Sequence, residues 1–413
     1  MSKNFCKKIK GATFLIVSSF TMLIFACSGC SSGNGLRAIA AHDGATLYTT
    51  TTSQGDGHIK VINLSGTFTK MGQQYGYLLK DNLAAYYQDI VLNYLIAEKG
   101  HTYDELLTSA VNIYSTALQE SKDFMQGVVE TSGLTLAQVQ LINISMIGAV
   151  YGCSAVGTWG EHTNGGPLII GRNWDMVPLD RFKDYMMVVV YNPPTGNSVA
   201  DINYIGQFQT FQTAMNSKGL WIDLQDGSMM SSASDVTKQN ANNAILQFLM
   251  ADSTMDELNT SFMANGSDGS FVMTVADPTV VYSYFWCTQG TYKFTESDQS
   301  GLLATSNHFV EYPGTWTINT LPTDPTQQGY TEIRRNNWLT LANSSTYKGL
   351  FTAETMKSMF ETTIPNGGGS FPTSGYNVET VYQIVAVPET RLLWLRLPKY
   401  YTWEQVDLKS LFN

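Results

Sequence analysis

The sequence predicts an α+β chain: a mostly helical block over 58–152 followed by a β-rich block over 153–413. Three observations carry this. Helix starts are marked by Thr102-Tyr103-Asp104-Glu105 and Thr135-Leu136-Ala137-Gln138, where a Thr hydroxyl and the Glu or Gln three residues on can satisfy the end amides. The texture changes at Gly152, after which short β-like runs dominate. Two pairs of runs flank turn sequences: Phe271 to Val275 and Val280 to Trp286 around Asp277-Pro278-Thr279, then Val381 to Val387 and Leu392 to Leu397 around Pro388-Glu389-Thr390. Strand runs separated by helices predict antiparallel sheets layered with helices.

The elements follow in order. The first thirty residues read as a targeting segment and leave the fold argument. Lys3, Lys7, Lys8 and Lys10 form a basic start, and Ala12 to Ala26 run apolar apart from Thr13, Ser18, Ser19 and Thr21. That run is shorter than the roughly 20 residues of a membrane-spanning helix. Its close, Leu23-Ile24-Phe25-Ala26-Cys27, resembles a bacterial lipoprotein signal. The resemblance implies export, with Cys27 lipidated and the membrane held only through that lipid. Phe25 departs from the small residue usual there; Cys30 is the other candidate, and an ordinary secretory signal cut near Ser31 is the plainer alternative. Residues 31–57, small and polar, are expected to be a flexible tether. His58 to Leu64 reads as a strand ending at Gly66, and Met71 to Leu95 as the first helical stretch, before those starting at Thr102 and Thr135. Beyond Gly152, Leu168 to Ile170, Met186 to Tyr191 and Gly219 to Leu224 read as strands, with helical stretches at Ala244 to Met263 and Thr352 to Thr362.

Composition bounds the function. The 413 residues carry a formal charge of -10 and are 43% hydrophobic, enough apolar material for a large core. No basic patch lies beyond the first ten residues, which argues against nucleic-acid binding. Of five cysteines, Cys6, Cys27 and Cys30 fall in the leader, leaving Cys153 and Cys287, so there is no disulfide framework. His42, His58, His101, His162 and His308 show no metal-ligand spacing, and no zinc site is expected.

The informative segment is Tyr151-Gly152-Cys153-Ser154, followed by Gly171-Arg172-Asn173-Trp174-Asp175-Met176. A thiolate is the strongest side-chain nucleophile near neutral pH, yet a free cysteine, with a pKa of about 8.5, needs activation. Cutting the Gly152–Cys153 bond would give Cys153 an α-amine of pKa about 7.7–8.0, beside the thiol and able to serve as its base. Gly152 removes bulk where the thiol would attack its own carbonyl. Asp175 lies 22 residues on (175 − 153), after a Gly165-Gly166-Pro167 turn and a short strand, so a hairpin could return Arg172 and Asp175 to Cys153. The carboxylate would hold the ammonium and the guanidinium would favour the thiolate.

Gly152-Cys153 with Leu168-Ile169-Ile170-Gly171-Arg172-Asn173-Trp174-Asp175 resembles N-terminal-nucleophile (Ntn) hydrolases of the acyl-CoA:penicillin acyltransferase group (peptidase C45), cousins of choloylglycine hydrolases and penicillin V acylases. Leu64 to Gly72 resembles the group's propeptide start, with Lys70 in place of an acidic residue. Ala214-Met215-Asn216-Ser217-Lys218-Gly219-Leu220 resembles its Met-Asn turn, Thr305-Ser306-Asn307-His308-Phe309 its Asn-His-Phe segment, and Arg334-Arg335 its later Arg pair. The resemblance implies a four-layer αββα sandwich with antiparallel sheets. It implies a precursor cut before Cys153, and acyl transfer from a small N-acyl amide through a thioester, to water or an amine, with no metal or cofactor. Cys153 is then nucleophile and base, Arg172 and Asp175 orient it, and Asn307 donates to the oxyanion. Arg334, or else Arg335, supports Asn307 and Asp175. Gln225, on Trp221-Ile222-Asp223-Leu224-Gln225-Asp226, is the choice for a second oxyanion donor, because an ionised Asp cannot donate.

Plainer readings stand beside these. A lone cysteine is usually inert core; Arg172 and Asp175 could be an ordinary ion pair, Asn307 a turn residue, and Arg334 a solvated helix residue. Cys287, among Tyr282, Tyr284, Phe285 and Trp286, is most simply a buried strand residue. Two other functional classes are a Cys–His thiol protease using His162 or His308, and a non-catalytic surface binding protein.

Overall fold

Turn chemistry opens the chain. Asp43 and Gly44 both take positive φ (47° and 88°), as a two-residue hairpin loop requires, and fold β1 (Gly35–His42) antiparallel onto β2 (Ala45–Thr52). Strand β3 (Gly55–Ser65) then pairs with β2. The computed structural model describes residues 35–146, 151–177, 180–208, 212–296, 301–327 and 329–413. The stretch expected to be a targeting segment, with Cys27 and Cys30, lies outside the described residues. The expectation of a tether over 31–57 is corrected by β1 to β3: residues 35–57 are largely strand. Thr-rich sequence looked like linker, but threonine is β-branched and suits a half-buried pleat.

Helices follow: α1 (Phe68–Leu78), α2 (Lys80–Tyr86), a π-helical stretch (Tyr87–Glu98), α3 (Tyr103–Thr116), α4 (Gln119–Ser132) and α5 (Leu136–Ile144). Both expected capping boxes form, Thr102 with Glu105 and Thr135 with Gln138. The β-rich block comprises β4 (Tyr151–Thr158), β5 (Ile169–Met176), β6 (Met186–Asn192), β7 (Val199–Tyr204), β8 (Thr213–Asn216) and β9 (Trp221–Asp226). Next come α6 (Ala241–Ala251), α7 (Met255–Ala264), β10 (Phe271–Ala276), β11 (Val281–Cys287), β12 (Gly290–Phe294) and β13 (Leu302–Thr305). The chain closes with α8 (Thr331–Ala342), α9 (Ala353–Phe360), β14 (Glu379–Val387), β15 (Leu392–Leu397) and β16 (Tyr401–Asp407). Both expected hairpins form, as β10–β11 and β14–β15. The stretch expected to be one helix over Ala244 to Met263 is two, because Thr254 caps a new start with Glu257.

Ten strands form one sheet in the order β1-β2-β3-β6-β7-β8-β9-β10-β11-β12, and six form the other, β13-β4-β5-β14-β15-β16. The sheets are antiparallel with one exception among the described residues: β3 runs parallel to β6. A helical block and the β4–β5 hairpin intervene, which is the long crossover a parallel pair needs. Side chains alternate along β4 and β5. Cys153, Arg172, Ile170 and Trp174 look toward the ten-stranded sheet, while Val156 and Ile169 join Trp338 of α8 and Phe360 of α9 in a second apolar cluster. Helices α1 and α6 pack on the ten-stranded sheet. The result is helix, sheet, sheet, helix, the αββα sandwich expected.

Where β16 meets β3, buried Glu404 gathers the backbone N–H of His58 (2.9 Å to Oε2) and of Ile59 (3.2 Å), the Thr50 hydroxyl and His58 Nδ1 (2.7 Å). A Cβ at Gly57 would run into Thr50 and Glu404. Glu404→Ala in a Cys153→Ala background should lower unfolding free energy by about 2–4 kcal/mol, since buried donors lose their acceptor. His58→Ala, whose ring is mostly exposed, should cost under about 1 kcal/mol. Urea denaturation measures both.

Candidate active site

Register brings the candidate residues together. In the β4–β5 ladder Gly152 stands opposite Asp175, Cys153 opposite Trp174 and Ala155 opposite Arg172. In β13–β4, Thr305 stands opposite Ala155, so the chain continuing past β13 carries Asn307 to Cys153. Helix α8 then lays Arg334 across the end of both strands.

Each functional atom of Cys153 has its own partner. The backbone N–H donates to Asn307 Oδ1 at 2.8 Å, the carbonyl accepts from Arg334 Nη1 at 3.0 Å, and Sγ accepts from Arg172 Nη2 at 3.3 Å. Arg334 also donates to Asp175 Oδ2 and to Asn307 Oδ1, both at 2.7 Å. Two donors converge on Asn307 Oδ1, which fixes the amide's orientation and leaves Nδ2 to donate to the Asp226 carbonyl at 2.8 Å. Asp175 accepts from the Thr380 hydroxyl on its other oxygen, at 2.6 Å. Arg172 is anchored by the carbonyls of Gln212 (2.8 Å) and Leu224 (2.6 Å) and by the Thr213 hydroxyl. A Cβ on Gly152 would sit 3.3 Å from the Asp175 Cβ and 3.6 Å from Arg334 Nη1, so glycine lets these two close on the Gly152–Cys153 bond.

Burial sets the protonation. Cys153 is 1% exposed, and desolvation pushes its thiol up to about 11, against the pull of Arg172 and with a further push from Asp175. Burial likewise raises the Asp175 carboxyl to about 6, although Arg334 and the Thr380 hydroxyl favour its charge.

The structure thus brings Cys153, Arg172, Asp175, Asn307 and Arg334 into one network. It does not bring Gln225 in as a free donor. Gln225 Nε2 is committed to Thr305 (2.7 Å), Thr274 (2.8 Å) and Asp223 (3.0 Å), so the reading of Gln225 as a second oxyanion donor is corrected: its two hydrogens are already in use. Arg335 points elsewhere, to the Ala304 carbonyl at 3.0 Å and Glu296 at 2.5 Å. His162 sits at the far end of β4, where its Nε2 meets Asn343 Oδ1 at 3.2 Å. His308 Nδ1 meets the hydroxyls of Thr331 (2.9 Å) and Ser306 (3.2 Å). Among the described residues no histidine is hydrogen-bonded to Sγ. The sequence reading missed Thr213 and Thr380, which reach Arg172 and Asp175 from other strands and carry no local signal. Among the described residues no cluster of His, Cys, Asp and Glu could hold a metal ion.

No protein-family model and no curated protein matches the sequence. Solved structures do. A mutant of the conjugated bile acid hydrolase from Clostridium perfringens is 14% identical over 62% of this chain and 93% of its own, with a TM-score of 0.44. The Caenorhabditis elegans ortholog of N-acylethanolamine-hydrolyzing acid amidase is 14% identical over 57% of this chain and 93% of its own, at 0.42. Penicillin V acylase from Agrobacterium tumefaciens is 12% identical over 62% of this chain and 86% of its own, at 0.37.

Arg334→Leu in a Cys153→Ala background should lower stability by about 3–5 kcal/mol, because Asp175 is left buried and uncompensated. Adding Asp175→Asn should return part of that loss, with a coupling of about 1–3 kcal/mol by urea denaturation.

Proposed function

We propose that this chain is a self-processing cysteine amide hydrolase of the N-terminal-nucleophile kind. The observation that carries the reading is the convergence of the buried polar network on the backbone of Cys153 as well as its thiol, with no histidine bonded to Sγ among the described residues. A conventional thiol enzyme positions an imidazole; this site positions a peptide bond.

In the precursor, Cys153 Sγ attacks the Gly152 carbonyl carbon. The C–N bond breaks, the Cys153 nitrogen takes a proton, and a thioester joins Gly152 to Sγ. Water hydrolyses it, freeing the Gly152 carboxyl and the thiol. In the mature chain the α-amine takes the thiol proton and Asp175 faces the resulting ammonium, while Sγ attacks the carbonyl of a small N-acyl amide. Asn307 Nδ2 has two hydrogens, one of them given to Asp226; the other is the oxyanion donor, a contribution of a few kcal/mol. The ammonium protonates the departing amine. Water, or an amine in the acyltransfer variant, then attacks the thioester and regenerates the thiol. The leader reading adds export and an N-terminal lipid on Cys27 or Cys30.

Intact mass and N-terminal sequencing of the purified protein test the reading. Two fragments are expected, the second beginning Cys-Ser-Ala-Val-Gly, and one uncut chain from Cys153→Ala. The first fragment's mass also reports whether it starts at a lipidated cysteine. A native chain that stays uncut removes the free amine and sinks the proposal. A second expectation concerns pH. Asp175 carries its charge only above about 6, so amide turnover should fall as pH drops through that value, and Asp175→Asn should flatten this limb while lowering the plateau.

A further inference from the structure

Strand β14 reaches the site through an irregularity in its pairing. Thr380 stands opposite Asp175 and Tyr382 opposite Trp174, so the register with β5 slips by one residue at Val381. Asp175 and Trp174 are consecutive and point to opposite faces of β5. Thr380 and Tyr382, two apart, would share a face in a regular strand. The extra residue reconciles them. Tyr382 meets Trp174 edge-on, with ring centroids 4.7 Å apart, and the Thr380 hydroxyl meets the Asp175 carboxylate.

The hydrogens around that hydroxyl can be counted. Thr380 Oγ1 accepts from the Phe371 backbone N–H at 2.8 Å. Its own hydrogen goes to Asp175 Oδ1 at 2.6 Å, while Asp175 Oδ2 accepts from Arg334 Nη1 at 2.7 Å. Both carboxylate oxygens thus meet donors. A proton on Oδ1 would have to turn onto the Thr380 oxygen, leaving the hydroxyl hydrogen without its acceptor. Thr380 and Asp175 are both buried, where a lost bond is not replaced by one to bulk water. Phe371 closes the arrangement, its ring lying 5.3 Å from the Arg334 guanidinium. The charged groups facing Asp175 are Arg334 from α8 and Arg172 from its own strand, and the Cys153 thiol of β4 is neutral. Glu379, beside Thr380, has Lys399 as its partner, 3.9 Å away. Burial pushes the Asp175 carboxyl up, and Arg334, then Thr380, then Arg172 hold it back to about 6.

We propose that Thr380 is a positioning residue of this site: its hydroxyl holds Asp175 in the charged form, in one orientation, against Arg334. The part this plays in turnover rests on the hydrolase reading, in which that carboxylate faces the ammonium of Cys153. The hold itself does not, because every bond in it is present in the uncut chain.

The test uses full-length chain carrying Cys153→Ala and follows the Asp175 side-chain carboxyl by ¹³C NMR against pH, the signal being the one that Asp175→Asn removes. Thr380→Val should move its midpoint up by about one to two pH units, the scale of one hydrogen bond to a charged group. Thr380→Ser should leave the midpoint where the parent has it. Thr380→Val also costs stability, because the Phe371 N–H loses its acceptor, so the midpoint and not the unfolding free energy is the readout. A midpoint that Thr380→Val leaves unchanged, or that Thr380→Ser moves as far, overturns the proposal. Should Thr380→Val fail to fold, the Thr380 hydroxyl proton of the parent decides. Its resonance should shift with the Asp175 titration; one that is absent or ignores the titration overturns the proposal. In the self-cut native protein, Thr380→Val should move the acid limb of amide turnover up by the same amount. A midpoint that moves in a protein whose native chain neither cuts itself nor turns over amides would keep the hold of Thr380 and remove the hydrolase. A native chain that cuts and turns over, with an unmoved midpoint, does the reverse.

Discussion

The end of this fold that holds the candidate site depends on keeping the Arg334 guanidinium charged where water does not reach. Burying such a cation costs several kcal/mol unless oxygens surround it in good geometry. Three do: the Asp175 carboxylate, the Asn307 amide oxygen and the Cys153 carbonyl. They come from β5, from the segment after β13 and from β4, so one side chain of α8 ties together the ends of three neighbouring strands of the six-stranded sheet. The cost of desolvation makes the arrangement specific, because each oxygen that drifted away would leave part of the charge uncompensated. Arg172 repeats the device on the opposite face of β5, where carbonyls of Gln212 and Leu224 from the other sheet hold it against the thiol. Alternation along one strand thus sends Arg172 to the sulfur and Asp175 to Arg334.

This explains what could be read from the residues. Cys153, Arg172 and Asp175 share one hairpin, and a hairpin is local, so their meeting was legible from spacing. Asn307 and Arg334 were legible only through the short segments around them, since nothing local says that β13 lies beside β4. Gln225 shows the limit. Its residue type suited an oxyanion donor, but Thr274 and Thr305 come from other strands and take its hydrogens. Thr380 reaches Asp175 solely because β14 pairs with β5. In the fold, the helix caps and hairpins were legible because their chemistry spans four residues. The strands β1 to β3 were not, because small and polar composition outweighed the Asp43-Gly44 hairpin signal.

The misread segment bears on what a cut chain would look like. β3 is an interior strand of the ten-stranded sheet, paired with β2 on one side and β6 on the other. Its apolar residues Ile59, Val61, Ile62 and Leu64 are fully buried, and Glu404 grips its start. A segment bound by a ladder, a core and a buried carboxylate does not leave when one peptide bond opens. Severing Gly152 from Cys153 would release the β4 end of the connection while β1 to α5 stayed in place, so the two chains would remain one folded body.

Burial of the thiol bears on the proposed cut as well. In the uncut chain the thiol is neutral, raised to about 11 mainly by desolvation, and the Cys153 nitrogen is an amide with a single hydrogen, given to Asn307. The proposed cut would change the nitrogen more than anything around it. An amine at that place would gain hydrogens and a lone pair, with Asn307 Oδ1 already at bonding distance and Asp175 across the narrow gap that Gly152 leaves. A neighbouring ammonium stabilises thiolate as Arg172 alone, working against full desolvation, does not. On the proposed reading, the network that holds this peptide bond in the uncut chain would also hold the base after a cut. Little rearrangement would be needed, because Asn307 and Asp175 already stand beside the nitrogen.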